Sequence, residues 1–408
     1  MIFVRRLALF ILVFVLAGCA APQPQVSGGA HGGPFRLGID VLAGNNFDLV
    51  RGKRVGLITN QTSVTGSGTP TRVAMKRAGV NLVALYAPEH GIDGTVLAGR
   101  HFGNRRDALT GLPVYSLYGD SRKPTPQMLS GIDVMVFDLQ DIGCRSYTYI
   151  STMVVSMEAC GENGKEFIVL DRPNPLGGLR VEGPPVAPAW KSFVSQVPTP
   201  YVHGMTAGEL AMMACDEGWV RRPALHVVKM QGWGRNLVWQ DLGLGWRRTS
   251  PNIPNSMSPF NYVATGILGS AAGVDVGIGW GDPFAYAGGA GVNPQAMAEA
   301  CRRMGFPDVS FTPYSRGGFG GVKLSYSPRT AANLTALDVQ MLGEINRQTR
   351  GATLSRMRGD QLSLFNKVYG SDALYRDLRR GVPASRITAS WGGYENSFRS
   401  RRARYLLY

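Results

Sequence analysis

Short apolar runs alternate with amphipathic stretches between residues 52 and 178. Four runs rich in β-branched and other apolar residues predict buried strands, at 54–59, 81–86, 133–137 and 166–170. The spacing of apolar residues predicts helices at 71–78, directly after Pro70, and at 147–159. Short strands separated by helices are typical of a parallel sheet that is covered on both faces, so we predict an α/β fold.

The pattern changes in the second half of the chain. Thr206 and Glu209 have the spacing of a capping box, which predicts that a helix begins there, and 225–230 has the composition of a further strand. After Ser250, proline, asparagine and glycine become frequent, and helical periodicity returns at 294–304, 336–348 and 372–380. We therefore place a domain boundary near residue 250, between a larger domain at 37–250 and a smaller one at 251–408. The stretch 91–118 breaks the alternation, and we predict a long loop or an excursion of the chain near the substrate.

The first residues have the pattern of a lipoprotein signal. Arg5 and Arg6 precede an apolar run that is too short to span a bilayer, and small residues lead to Cys19. We expect residues 1–18 to be removed and the Cys19 thiol to carry lipid, followed by a flexible tether over 19–36. The absence of aspartate directly after Cys19 indicates sorting to the outer membrane. The expected location is the periplasm, and no later run is long enough to cross a bilayer.

The formal charge of +15 suits an anionic partner, although a basic surface without a specific partner explains it equally well. A periplasmic location disfavours nucleic acid and favours the cell wall, which is anionic. Beyond Cys19 the chain has Cys144, Cys160, Cys215 and Cys301, which show no metal-ligand spacing. We therefore expect no metal site and no cofactor, and isolated buried thiols.

Polar side chains follow each of the four predicted strands. They are Asn60 after the first strand, Glu89 and His90 after the second, Asp138, Asp141, Arg145 and Tyr147 after the third, and Asp171, Arg172 and Asn174 after the fourth. The carboxyl ends of parallel strands meet at one edge of a sheet, where ligands bind in open α/β folds. We therefore expect these side chains to converge on one polar site.

Carboxylates are the main candidates for catalysis at this site. Glu89 lies in a Pro-Glu-His-Gly turn that can aim its carboxyl group inward, so it is the candidate general acid that would protonate a leaving oxygen. The alternative is a structural glutamate that caps the loop. Asp138, Asp141 and Asp171 compete for the role of a second carboxylate. Nothing in their spacing separates them, and capping or ion pairing is an alternative for each.

The remaining polar residues are candidates for binding substrate: Asn60, His90, Arg145, Tyr147, Asp171, Arg172, Asn174 and His203. Arg145 and Arg172 could bind a substrate carboxylate, or pair with the neighbouring aspartates. His203 precedes the capped helix, where an anion would be favoured, or it is an ordinary helix-entry residue. The chain has no GxGxxG, GxSxG, Walker A or HExxH motif, so dinucleotide binding, a serine-hydrolase elbow, a P-loop and a zinc protease are unsupported.

Several longer strings resemble those of one protein family. They are GLITNQT (56–62), APEHG (87–91), TGLPVYSLYG (110–119), VFDLQDIGCRSYTY (136–149), VLDRPNPLGG (169–178), HGMTAGELA (203–211), SPNIPN (250–255) and the tail 391–408. Over nearly the whole chain after the signal, the sequence resembles the NamZ-type exo-β-N-acetylmuramidases. The resemblance implies a Rossmann-like domain, a smaller α/β subdomain and an active cleft between them. It also implies release of N-acetylmuramic acid from the non-reducing ends of peptidoglycan fragments, with Glu89 at the family's proposed catalytic position.

One segment departs from the family's pattern. The family usually carries Glu-Gly-Thr-Asn and then Gly-Arg-Gly-Thr before a Pro-Phe pair, whereas Pro283 and Phe284 here follow Ser270–Gly273 and Gly277–Trp280. An acidic and a basic side chain are therefore replaced, which predicts altered sugar recognition near Ile278. The leading hypothesis is an exo-acting glycoside hydrolase, and the alternative is a non-catalytic lipoprotein that binds muropeptides or the wall. An amidase or esterase would need a metal or nucleophile that the sequence does not supply convincingly.

Overall fold

The computed structural model describes residues 35–408. The predicted signal peptide, Cys19 and the tether as far as residue 34 lie outside the described residues. From residue 35 onward, no helix combines the length and the apolar character that crossing a membrane requires.

A sheet of seven strands forms the centre of the first domain. Its strands are β1 (Val55–Ile58), β2 (Leu82–Ala87), β3 (Arg105–Arg106), β4 (Pro113–Ser116), β5 (Val134–Phe137), β6 (Glu166–Leu170) and β7 (Ala224–Val228), in the order β3-β4-β2-β1-β5-β6-β7. All neighbours run parallel except β3 and β4. The chain moves outward from β1 to β4 and then returns to β5 on the other side of β1. This order is that of a Rossmann-like sheet, which confirms the predicted α/β class.

The alternation of side chains along the strands explains why the sheet is buried on both faces. Val134 and Val136 of β5 belong to one apolar cluster, and Met135 and Phe137 belong to the other. Because successive residues of a strand point to opposite faces, a continuous apolar run supplies both cores. Ile58 of β1 lies beside Tyr86 of β2 and Phe137 of β5, so these three strands end close together.

Thirteen α-helices surround and follow this sheet within residues 35–408. They are α1 (Gly38–Gly44), α2 (Thr71–Arg77), α3 (Pro126–Leu129), α4 (Thr148–Glu162), α5 (Ala207–Asp216), α6 (Ser258–Thr265), α7 (Pro294–Arg302), α8 (Leu334–Gln348), α9 (Ala352–Ser355), α10 (Gly359–Tyr369), α11 (Ala373–Arg379), α12 (Ala384–Ala389) and α13 (Gly392–Arg402). Short 3₁₀ helices occur at Asp48–Val50, Pro188–Trp190, Trp239–Asp241, Leu268–Ser270 and Ala403–Tyr405. The helices predicted at 71–78, 147–159, 294–304, 336–348 and 372–380 are confirmed, with ends shifted by up to three residues.

The second subdomain contains a four-stranded antiparallel sheet. Its strands are β8 (Val274–Asp275), β9 (Tyr286–Ala290), β10 (Ser310–Arg316) and β11 (Phe319–Ser325), in the order β10-β11-β9-β8. Helix α7 packs against β10 and β11, and α8 packs against α6, so the predicted smaller α/β unit is present. Helices α9 to α13 make up the rest of this subdomain.

The stretch 91–118 differs from the predicted long loop, because it contains β3 and β4. Only Val114 and Ser116 of β4 are buried, and the strand lies near the sheet edge between β2 and the two-residue β3. A half-buried strand of four residues has too few apolar positions to stand out in the sequence. Only the backbone pairing of β3 and β4 in the structure therefore shows that they are strands.

Candidate active site

A pocket of about 390 Å³ lies where the carboxyl edge of the parallel sheet meets the second subdomain. Residues from both parts of the chain line it: Glu89, His90, Ala98, Gly99, Tyr118, Ser146, Tyr147, Thr148, Val194, Ser250, Asn252, Ile253, Tyr262, Gly266, Gly269, Ser270, Ile278, Phe284, Leu364 and Val368. The pocket is therefore a cleft whose walls are hundreds of residues apart in the sequence.

Glu89 is held in this pocket by two donors. It follows Pro88 at the end of β2, and 6% of its surface is exposed. The Thr148 hydroxyl donates to Oε2 at 2.6 Å, and the backbone N–H of Gly99 donates to Oε1 at 2.9 Å. Thr148 is also the first residue of α4, a fifteen-residue helix whose N-terminal end favours a nearby negative charge. Both carboxylate oxygens are thus fixed in a partly desolvated position.

Tyrosines surround the Glu89 carboxylate. Burial, together with the negative charge of Glu89, raises the pKa of Tyr118 to about 12. Burial is also the main reason that the pKa of Tyr262 lies above its usual value, and Glu89 adds to it. Both phenols therefore stay protonated near neutral pH and can donate hydrogen bonds to oxygens in the pocket.

His90 adopts a left-handed backbone conformation with φ of 72°, which is unusual for a residue with a side chain. Gly91 follows with φ of 75°, so the chain turns sharply after Glu89. The Nδ1 atom of His90 lies 2.8 Å from the carbonyl oxygen of Val96, which fixes the imidazole at the pocket wall. Strained backbone of this kind concentrates at functional sites, because the surrounding structure must hold it in place.

A chain of hydrogen bonds positions the segment that carries Ser250 and Asn252. The Tyr147 hydroxyl donates to Thr249 Oγ1 at 2.9 Å, and the Tyr149 hydroxyl donates to the Thr249 carbonyl at 2.5 Å. Asn60 donates to the Tyr149 hydroxyl at 2.8 Å. Tyr147 therefore lines the pocket directly, whereas Asn60 stands behind it and supports the wall.

Asp138 and Arg172 form a buried ion pair at the ends of β5 and β6. Arg172 donates from Nε to Asp138 Oδ1 at 2.5 Å and from Nη2 to Oδ2 at 3.1 Å, and neither side chain is more than 4% exposed. A further bond joins Arg172 to the Val64 carbonyl at 2.8 Å. The ion-pairing alternative is therefore the arrangement that the structure shows, and neither residue lines the pocket around Glu89.

Asp141 and Asp171 also lie outside the pocket lining. Asp141 accepts from the Gly143 N–H at 2.7 Å, and burial raises its pKa to about 7. Asp171 accepts from the Thr206 hydroxyl at 2.7 Å and from the Gly208 N–H at 2.8 Å, and burial raises its pKa to about 6. Asp171 thus joins the end of β6 to the beginning of α5.

The side chains of the three remaining candidates are buried in the fold and do not line the pocket. Arg145 is fully buried and donates to the carbonyls of Thr199 and Tyr369, both at 2.6 Å, and of Pro184 at 2.8 Å. Asn174 donates to the Met205 carbonyl at 3.1 Å. Burial lowers the pKa of His203 to about 3, so this imidazole is neutral.

The structure therefore brings Glu89, His90 and Tyr147 together and separates them from the other predicted residues. Asn60, Asp138, Asp141, Arg145, Asp171, Arg172, Asn174 and His203 do not line the pocket. Of the four strand ends, only that of β2 reaches this pocket, where the beginning of α4 joins it. The polar residues after β1, β5 and β6 contact one another beside it, as in the bonds of Arg172 to Asp138 and of the Gln140 N–H to Thr62 Oγ1. The buried polar groups at the other strand ends are directed towards each other and the backbone, because an unpaired buried group is costly.

Sequence reasoning missed several lining residues. Thr148, Tyr118, Tyr262 and the pair Ser250 and Asn252 were given no role, although four of them lie within the strings TGLPVYSLYG, VFDLQDIGCRSYTY and SPNIPN. The strings marked these segments, but a position within a string does not show which side chain faces a pocket. No group of three or more potential metal ligands occurs within residues 35–408, where Cys144, Cys160, Cys215 and Cys301 are buried and free.

The Rossmann-like sheet meets the second subdomain at a cleft, and the partly desolvated Glu89 carboxylate lies in this cleft. This arrangement is that of an α/β enzyme with an interdomain active site. The family description "Exo-beta-N-acetylmuramidase NamZ" matches this chain with its N-terminal part over residues 55–257 and with its C-terminal part over residues 260–408. The chain therefore belongs to the NamZ family of exo-β-N-acetylmuramidases and is a glycoside hydrolase.

Individual relatives agree with this assignment. The chain is 36% identical over 385 residues to the peptidoglycan β-N-acetylmuramidase NamZ of Bacillus subtilis strain 168, and the match covers 91% of each protein. Two solved DUF1343 family proteins from Bacteroides fragilis NCTC 9343 have the same fold. One is 40% identical with a TM-score of 0.84 and the other is 26% identical with a TM-score of 0.71, and each match covers 92% of this chain and 99% of the other.

Proposed function

We propose that this enzyme releases terminal N-acetylmuramic acid from the non-reducing ends of peptidoglycan fragments, with Glu89 as the general acid. The observation that carries the proposal is the Glu89 carboxylate in the interdomain pocket, fixed by Thr148 and Gly99. The Bacillus subtilis relative is a peptidoglycan β-N-acetylmuramidase, which supports the same substrate class here.

Exo-action is part of the family description that matches this chain, and residues of both subdomains bound the pocket. The pocket is bounded by Tyr118 and Val194 of the first domain and by Phe284 and Val368 of the second subdomain. A bounded pocket admits the end of a glycan strand, whereas cleavage within a strand needs a groove that is open at both ends. Glu89 lies in the wall of the pocket, where its proton can reach the oxygen between the terminal sugar and the next one.

The predicted second carboxylate has no counterpart among the pocket-lining residues of the described chain. Glycosidases commonly use two carboxyl groups at the scissile bond, although some use the acetamido group of the substrate instead. Glu89 is the one Asp or Glu side chain that lines the pocket within residues 35–408, and Asp138, which lies outside the lining, has both oxygens bonded to Arg172. This arrangement favours a reaction in which the substrate's own acetamido oxygen assists at the anomeric carbon, and Asp138 and Asp141 stabilise the scaffold.

Replacement of Glu89 by glutamine tests the proposed role. Glu89→Gln keeps the shape but removes the proton that the leaving oxygen needs, so kcat should fall by ~10²–10⁴ on a muramic acid glycoside with a poor leaving group. The loss should be much smaller for a nitrophenyl leaving group, which departs without protonation. Glu299→Gln makes the same chemical change on the exposed surface of α7 and should retain wild-type rates. Wild-type turnover of Glu89→Gln would remove Glu89 from the mechanism.

A lipid anchor at Cys19 is a second part of the proposal, and it rests on the signal sequence. A protein that is tethered to the outer membrane in the periplasm would reach wall fragments within the length of residues 19–36. Cys19→Ser should abolish labelling by a fatty acid analogue and move the protein from the membrane fraction to the soluble fraction. A Cys19→Ser protein that still carries acyl chains would contradict the anchor.

A further inference from the structure

A second pocket, of about 320 Å³, lies at the carboxyl ends of β1, β5 and β6. Thr62, Gln140 and Arg172 follow these three strands and line it, and together with Arg247 they define the switch-point pocket. Within residues 35–408, none of its lining residues also lines the pocket around Glu89. The chain changes its direction across the sheet between β1 and β5, and open α/β sheets bind ligands outside the strand ends at such a point. The volume is within the range of small-molecule sites.

Two buried side chains of this pocket have hydrogen-bonding atoms that the protein leaves unpaired. Arg172 is 4% exposed, and its Nε and Nη2 atoms donate to Asp138 and to a backbone carbonyl, but its Nη1 atom has no acceptor within residues 35–408. Gln140 is 3% exposed, and its Nε2 atom donates to two backbone carbonyls, whereas its Oε1 atom has no donor in the same part of the chain. Buried polar groups are nearly always paired, so an unpaired donor and an unpaired acceptor at one pocket indicate a ligand that pairs with both.

The charge of the switch-point pocket is positive. Asp138 compensates Arg172, but Arg247 is exposed and donates from Nη2 to the Gly68 carbonyl at 3.2 Å, with no ion pair within residues 35–408. No aspartate or glutamate is among the lining residues of the described chain, and the nearby Asp40 carboxylate accepts from two backbone N–H groups. Guanidinium groups pair best with a planar anion such as a carboxylate.

An aromatic part of the wall distinguishes an organic acid from an inorganic anion. The rings of Trp239 and Trp246 lie 4.9 Å apart at an angle of 81°, and both residues line the pocket. Their indole N–H groups each donate to a backbone carbonyl at 3.1 Å, so both rings are held in place. Rigid aromatic rings offer a large apolar contact area. The carbon skeleton of a small acid would use this area, whereas an inorganic anion would not.

We propose that the switch-point pocket binds a small organic carboxylate that also carries an N–H or O–H group, at a site separate from the pocket around Glu89. The carboxylate pairs with Arg172 Nη1 and Arg247, and the N–H or O–H group donates to Gln140 Oε1. The site goes beyond the proposed function, and only the source of the ligand rests on that function. Peptidoglycan fragments supply such acids in two forms, as the carboxyl ends of their peptides and as the lactyl group of muramic acid.

Isothermal titration calorimetry of the whole protein tests the site with two matched pairs of probes. N-acetyl-D-alanine represents a peptide carboxyl end, and N-acetyl-D-alaninamide has nearly the same shape without the charge. N-acetylmuramic acid and N-acetylglucosamine are the corresponding pair for the sugar. At least one acid should bind about tenfold or more tightly than its uncharged partner, as expected for a hydrogen bond to a charged group. The acid that does so identifies the source of the ligand.

Arg247→Ala assigns this preference to the switch-point pocket, because N-acetylmuramic acid could also enter the pocket around Glu89. The variant should weaken binding of the acid about tenfold and leave binding of the uncharged partner unchanged. Arg248→Ala is the matched control, since Arg248 is the exposed neighbouring arginine and lines neither pocket. Arg247 is exposed, so Arg247→Ala should keep the wild-type melting temperature, which is measured alongside.

Three results of the titrations would overturn the inference. They are equal affinity for each acid and its uncharged partner, a preference that survives Arg247→Ala, and an equal loss in Arg248→Ala, which would show attraction to a general basic surface. A crystal of the unchanged protein soaked with the preferred acid gives a second test. Its carboxylate should lie within hydrogen-bond distance of Arg172 Nη1, and an acid found only beside Glu89 would also overturn the inference. Neither experiment requires hydrolysis, so a failure of the proposed muramidase function is distinguished from a failure of this site.

Discussion

At the scale of single residues, the position of Glu89 depends on partners that are local in space and distant in sequence. Thr148 lies 59 residues further along the chain, yet its hydroxyl is the 2.6 Å donor to Oε2. A carboxyl group that delivers a proton must keep one orientation through the reaction, because misplacement of a reacting group is costly in rate. If Glu89 is the general acid that we propose, Thr148 is a positioning residue.

Replacing Thr148 by valine tests this role. Thr148→Val keeps the branched shape and removes the hydroxyl, so kcat on a muramic acid glycoside should fall by about tenfold, the equivalent of one lost hydrogen bond of ~1.4 kcal/mol. KM should change little, since the sugar does not lose a contact. Thr148→Ser keeps the donor and should restore most of the rate. A rise in KM with unchanged kcat, or failure of Thr148→Ser to restore the rate, would assign Thr148 to substrate binding or to folding.

At the scale of elements, the junction between β6 and α5 shows how the helix is held to the sheet. Thr206 and Glu209 form the predicted capping box: the Glu209 N–H donates to the Thr206 hydroxyl at 3.3 Å, and Glu209 Oε2 accepts from the Thr206 N–H at 3.0 Å. The Thr206 hydroxyl donates its own proton to Asp171 at 2.7 Å. One hydroxyl therefore caps the helix and satisfies a buried carboxyl group at the end of β6.

Removal of the Thr206 hydroxyl should lower the free energy of unfolding by more than the loss of a single capping bond would. Loss of a threonine N-cap costs ~1–2 kcal/mol, and Thr206→Ala should fall at or above the upper end because Asp171 loses a donor as well. The free energy of unfolding from urea titration measures the effect. Thr206→Ser keeps the hydroxyl and should lose less than half as much. A change below ~0.5 kcal/mol for Thr206→Ala would show that water replaces both contacts.

At the scale of the whole molecule, buried carboxyl groups in both domains give stability the same pH dependence. Burial raises the pKa of Asp141 in the first domain to about 7 and that of Asp338 in α8 to about 8. Asp338 accepts from the N–H groups of Ile267 and Leu268, both at 2.8 Å, so it holds α8 to the chain that follows α6. An unfolded aspartate has a pKa of about 3.9.

The sign of the dependence follows from these values. Between about pH 4 and pH 7 to 8 the folded protein binds more protons than the unfolded chain, so the free energy of unfolding should fall as the pH rises. Urea titrations near pH 5 and near pH 8 measure the difference. Asp141→Asn removes one of the groups and should reduce it. Asp133→Asn is the control, because a hydrogen bond from Arg54 lowers the pKa of Asp133 to about 2, outside this range. Stability that rises from pH 5 to pH 8 would contradict the prediction.

The sequence by itself determined the features that depend on neighbouring residues. Continuous apolar runs predicted β1, β2, β5 and β6, because burial on both faces requires every side chain of a strand to be apolar. The capping box of α5 was visible because its two partners are three residues apart. The Pro-Glu-His-Gly turn identified Glu89 for the same reason, since its shape comes from four consecutive residues.

Only the tertiary structure decided which polar residues face the pocket. Arg145 looked like an anion-binding residue, but its partner Tyr369 lies 224 residues away, and a second hydroxyl that donates to Asp171, besides that of Thr206, belongs to Tyr408. A buried polar group must find a partner wherever the fold places one, and no local pattern shows where that is. The apolar part of the pocket around Glu89 has the same origin. Ile278 and Leu364 are far apart in the sequence, and both line the pocket because the second subdomain brings their segments to the same cleft.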